Sequence, residues 1–166
     1  GKGAPARQNM EKGAVLRGDR PGTGLPPACR RYSFDPMTEI LLIADSPWVA
    51  DAVAAALGGG DYRVSAVAAP AAAVDAWQQH EPAAVLIDLQ IGARGGMAVV
   101  RDLRAAAHAA GVAPPPMALL LDRGVDAFLA RRSGADRWIR KPFNGFALRR
   151  LVEQLVASRR AGAAAT

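Results

Sequence analysis

The sequence predicts a doubly wound α/β fold in which five parallel strands alternate with five helices. Three observations predict it. Ile40-Leu41-Leu42-Ile43, residues 83–89 and residues 117–121 are almost wholly aliphatic, as strands buried on both faces are. The segments between the strands repeat apolar residues at three- and four-residue steps, the period of an amphipathic helix. Strands that alternate with helices pair in parallel and leave both faces of one sheet covered.

The elements can be justified in order. After the first strand, Ser46-Pro47 supplies an N-cap and a first-turn proline for a helix through Ala56. Gly58-Gly59-Gly60 stops that helix. No Lys-Ser/Thr pair follows, so these glycines are a helix stop and not a phosphate loop. Residues 62–67 are β-branched enough for the second strand, and 71–79 read as a helix with Val74 and Trp77 on one face. The third strand spans 83–89. Met97, Val100 and Leu103 mark a third helix, stopped near Gly111 and Pro114-Pro115-Pro116. The fourth strand spans 117–121. Val125, Phe128 and Leu129 are expected to face inward from a short helix that Gly134 ends. The fifth strand spans 137–140. Asn144 caps a last helix that buries Leu148, Leu151, Val152, Leu155 and Val156.

Composition narrows the class. Of 166 residues, 51% are hydrophobic but only 5% aromatic, so the core is aliphatic. Residues 1–36 hold seven basic and three acidic side chains, +4 of the net +6. The charge therefore belongs to that segment, where no recognition helix or aromatic cluster accompanies it, and nucleic acid is not an expected partner. The segment is rich in Gly, Pro and Arg and reads as a disordered basic extension, either native, an expression remnant or the product of an upstream start. The domain proper is expected over 37–158, with 159–166 a flexible tail. A lone Cys29 excludes an internal disulfide and a multi-cysteine metal site. No apolar stretch is long enough to span a membrane and no signal-peptide pattern opens the chain, so a cytoplasmic location without membrane contact is expected.

In such sheets ligands sit beyond the carboxyl ends of the strands. Asp45 follows the first strand, Asp88 closes the third, and Lys141 follows the fifth. With strands about 4.8 Å apart, these ends converge. Two carboxylates and an ammonium suit a hard cation such as Mg²⁺ beside a phosphoryl group, with Asp88 as the nucleophile. Each residue alone has a blander reading, as a loop cap or a surface ion pair; their matched positions favour a site.

Across residues 38–157 the chain resembles the receiver domain of bacterial two-component response regulators. ILLIADSP resembles the first-strand acidic motif, AAVLIDLQIGARGG the phosphoacceptor segment, and SGADRWIRKPF the fifth-strand motif. The resemblance implies a flavodoxin-like (βα)5 fold and a stand-alone, atypical member. It implies Asp88 as phosphoacceptor and Mg²⁺ held by Asp45, Asp88 and the Gln90 carbonyl. Lys141 would bind the phosphoryl group, and the Lys141-Pro142 bond would be cis. Expected partners are a histidine kinase or phosphotransfer protein, an effector on the 125–157 face, and a second copy of the chain. No enzymatic activity is expected beyond self-catalysed phosphoryl transfer and hydrolysis.

Four positions depart from that pattern. Ala44 replaces the first of two adjacent acids, which predicts weaker Mg²⁺ binding. Leu121 stands where a Ser or Thr hydroxyl usually ends the fourth strand, or Leu119 in an ungapped alignment; neither can donate a hydrogen bond, and either could crowd the site. Trp138 replaces a smaller aromatic switch residue. Gly92 replaces a proline, leaving its loop more flexible. These changes keep a second reading open: an atypical receiver that binds proteins independently of phosphorylation. A flavodoxin-like electron carrier would need a Ser/Thr-rich loop after the first strand, which Ala44-Asp45-Ser46-Pro47 is not.

Overall fold

The computed structural model describes residues 37–164. The expected extension over 1–36, with Cys29, lies outside the described residues.

Five strands, β1 (Thr38–Ile43), β2 (Tyr62–Val67), β3 (Ala84–Asp88), β4 (Met117–Leu121) and β5 (Arg137–Arg140), form one sheet. Their order is β2-β1-β3-β4-β5 and every neighbouring pair is parallel. Five helices alternate with them: α1 (Pro47–Leu57), α2 (Ala73–His80), α3 (Gly96–Ala109), α4 (Ala127–Ser133) and α5 (Gly145–Ala164). Every residue of β3 and β4 is buried, which is why these strands lack polar alternation.

Side chains alternate across a strand, and the core divides accordingly. Ile40 and Leu42 of β1 and Leu86 of β3 pack with Val53 of α1 and Val152 of α5. Leu41, Ile43, Val85 and Ile87 project to the other face, against Val99 and Leu103 of α3 and Ala130 of α4. Burying such a leucine or valine stabilises the fold by about 1.5–3 kcal/mol each.

Four expectations are corrected in detail. Ser46 stands at the N-cap of α1, but its side chain makes no capping bond; its carbonyl receives the amides of Val49 and Ala50. Residues 70–72 form a 3₁₀ turn, so α2 begins at Ala73. The expected tail from 159 is instead helical as far as Ala164. Alanine and arginine favour helix there, and the Arg159 guanidinium anchors the turn by donating to the Pro82 carbonyl.

The fourth correction concerns α4. Val125, Phe128 and Leu129 do not face inward; they are 76%, 63% and 41% exposed. Gly124–Asp126 forms a 3₁₀ turn and α4 has only seven residues. The buried line is Asp126, Ala130 and Ser133, spaced four and three residues apart. That line is equally periodic but is made of smaller side chains. Its polar atoms are satisfied locally. Asp126 pairs with Arg123 at 3.4 Å, and the Ser133 hydroxyl donates to the Ala130 carbonyl at 2.7 Å and accepts the Ala135 amide at 3.1 Å.

Candidate functional site

Register places the site. Asp88 pairs with Leu120 on β4, and Leu120 with Ile139 on β5. Asp122 and Lys141 each lie two residues beyond that row. With a side-chain period of two, both project on the same side as Asp88. The Lys141 Nζ donates to both Asp88 oxygens, at 2.9 and 3.0 Å. It also pairs with Asp122 Oδ1 at 3.0 Å. The side chains of Asp88 and Lys141 are 3% and 5% exposed, that of Asp122 38%. The Trp48 ring lies 5.4 Å from the ammonium, within cation–π range. The Lys141-Pro142 bond is cis, as expected.

The loop after β3 carries the second part. The Gln90 amide donates to Asp88 Oδ1 at 3.1 Å, and the Gly92 amide donates to Asp45 Oδ2 at 3.0 Å. The two carboxylates are thus held by amides two residues apart, on one short segment. Gly92 has φ +53°. A proline there could neither adopt that φ nor offer the N–H. The residue expected to loosen the loop therefore ties it to Asp45. Gly96 closes the loop beneath Asp88, where any Cβ would collide with the Asp88 carbonyl.

The remaining expected site residues lie nearby but do other work. Ala44 is buried with the α1–α5 side of the core. Leu121 is buried on the opposite side, with Leu119 and Ile87. It supplies no donor to Asp88, and it does not crowd the carboxylate either. Trp138, paired with Leu119, packs half-buried against that same side, with the Arg131 guanidinium 5.3 Å from its ring.

Sequence reasoning missed Asp122 and Trp48. Asp122 follows a strand end, as Asp45 and Lys141 do, and the same rule could have found it. Trp48 carries no linear signal, because its ring reaches Lys141 only through the fold.

Chemically, two carboxylates share one ammonium, net −1, with Asp88 and Lys141 buried and Asp122 partly exposed, and Asp45 is tied to the loop after β3 through the Gly92 amide. The available donors are hard oxygens. Among the described residues no group of three or more His, Cys, Asp or Glu gathers as a metal cluster. Asp45 and Asp88 with a backbone carbonyl fit a cation that keeps several of its waters, as Mg²⁺ does.

A family model described as the response regulator receiver domain matches residues 40–153. The chain is 31% identical over 125 residues to the response regulator Rre1 of Synechocystis sp., covering 74% of this chain and 53% of that protein. It is 33% identical over 104 residues to the DNA-binding response regulator MtrA of Mycolicibacterium smegmatis, covering 63% and 44%. The chain thus spans about half the length of the curated relatives it matches. Among solved structures, it resembles the receiver domain of the sensor histidine kinase PA1611 from Pseudomonas aeruginosa, which has magnesium coordinated in its active-site cleft. That match has a TM-score of 0.63 and 26% identity, and covers 72% of this chain and 98% of that one. The BeF3-activated receiver domain of RstA from Klebsiella pneumoniae matches with a TM-score of 0.61 and 28% identity, covering 71% and 97%.

Proposed function

This chain belongs to the response regulator receiver domain family, and from that premise we propose that it accepts a phosphoryl group on Asp88 within a phosphorelay. The observation that carries the proposal is the buried ammonium of Lys141 on both oxygens of Asp88.

One Asp88 oxygen would attack the phosphorus of a phosphohistidine on a kinase or phosphotransfer protein. The P–O bond forms as the P–N bond breaks, and the electron pair leaves on the imidazole. Lys141 faces the accepting carboxylate and would hold the phosphoryl oxygens. The Gln90 amide orients the carboxylate, and the Gly92 amide keeps Asp45 beside it. Receiver domains generally bind Mg²⁺; here Asp45, Asp88 and the Gln90 carbonyl would hold the ion, which supplies charge neutralisation for the incoming group. No chemistry beyond this self-catalysed transfer and its hydrolysis is proposed. Among the described residues no helix is long and apolar enough to cross a membrane.

Incubation with acetyl phosphate and Mg²⁺, followed by intact mass, tests the proposal. Wild type should gain one phosphoryl group and Asp88→Asn none. Uptake by Asp88→Asn equal to wild type would end it.

A second reading is favoured by one observation. Val125 and Phe128 on the α4 side, and Phe146 at the start of α5, are large apolar residues left mostly in water. Buried Leu121 brings no hydroxyl with which to report phosphorylation to that face. On this reading the 125–157 face binds an effector, or a second copy of the chain, whatever the state of Asp88. Partner affinity unchanged by Asp88→Asn and by beryllofluoride would favour it over the first.

A further inference from the structure

We infer that Asp122 is a positioning residue that competes with a phosphoryl group for the Lys141 ammonium, and so sets how tightly that group is held at Asp88. The inference rests on the phosphoacceptor reading and names a regulating residue for it.

An ammonium has three N–H donors and no more. In this structure the Lys141 Nζ lies 2.9 and 3.0 Å from the Asp88 oxygens and 3.0 Å from Asp122 Oδ1. The Trp48 ring covers another approach. Hydrogen bonds to Asp88 and an ion pair to Asp122 therefore engage the ammonium before any ligand arrives. Phosphorylation of Asp88 turns one carboxylate oxygen into the bridging oxygen of a mixed anhydride and adds phosphoryl oxygens that need the same ammonium. Asp122 then competes for the ammonium's charge and sets its own negative charge beside the new ones, which disfavours them.

Two further features sharpen the competition. Leu121 is turned into the core and offers no hydroxyl, so the phosphoryl group depends on Lys141 more than it would beside a serine or threonine. Arg123, next in the chain, is drawn to Asp126 at 3.4 Å. Asp122 itself is 38% exposed; it can release Lys141 to a ligand and turn to water, at a cost, which is the behaviour of a competitor and not of a structural brace.

The test is a titration with beryllofluoride in the presence of Mg²⁺, followed by ¹⁹F NMR, on the full chain and its Asp122→Asn and Asp122→Glu variants. The Asn variant should bind about tenfold more tightly, the order expected from removing one neighbouring charge. The Glu variant, which keeps the charge, should bind as wild type does. A structural role would not separate Asn from Glu in this way. If wild type binds and Asp122→Asn binds equally or more weakly, the inference about Asp122 fails and the phosphoacceptor reading stands. If neither binds while both keep native amide spectra, the phosphoacceptor reading fails and takes this inference with it.

Discussion

The carboxyl ends of β3 and β5, on one side, and the turn into α4, on the other, treat polarity in opposite ways. At the strand ends, a charged aspartate and lysine are drawn out of water. On α4 and the turn before it, a valine, a phenylalanine and a leucine are left in it, while an aspartate and a serine turn inward. Hydropathy of the single residue decides neither case. Burial is decided by the partner that the neighbouring element presents: Asp88 goes in because Lys141 arrives across β4, and Asp126 goes in because Arg123 covers it. Phe128 stays out, while the smaller Ala130 and Ser133 of the same helix are buried.

The comparison can be broken at its strongest point first. Lys141→Ala would leave Asp88 buried without its cation and beside another acid. It should cost about 3 kcal/mol of stability in urea unfolding. Adding Asp88→Asn should recover part of that loss, because the amide leaves no charge unpaired; a double-mutant cycle measures the recovery. No loss in Lys141→Ala would mean that the pair does not hold the strand ends. On the α4 side, Asp126→Ala removes the inward acid and its pairing with Arg123, and should cost about 1–2 kcal/mol. The smallest effect should come from the largest side chain: Phe128→Ser should change stability by no more than about 0.5 kcal/mol. A loss near 3 kcal/mol there would mean that Phe128 is core after all.

These contrasts show what was legible in the sequence. The buried strands were, because a continuous aliphatic run has few other uses; residues 62–67 and 117–121 are the observed β2 and β4. Asp88, Lys141 and the cis bond at Pro142 were legible from strand ends and motif. The face of α4 was not, since Val125, Phe128 and Leu129 form as good a helical stripe as Asp126, Ala130 and Ser133. Periodicity finds a stripe but cannot say how much room lies beneath it. The partnership of Asp122 and Trp48 with Lys141 was hidden for a related reason. It depends on how far side chains reach across register rows, which no linear spacing records. Gly92 was misjudged because its backbone N–H, and not its missing side chain, does the work at Asp45.

The indole of Trp48, half in water and half against the Lys141 ammonium, has a consequence of another kind. Indole emission responds to the charge beside it, so the protein carries an optical reporter beside the Asp88–Lys141 pair. Trp77 and Trp138 lie on the other side of the sheet. A Trp48→Phe variant therefore isolates the signal from the site by subtraction. The occupancy of the pocket could then be followed in real time on unlabelled protein.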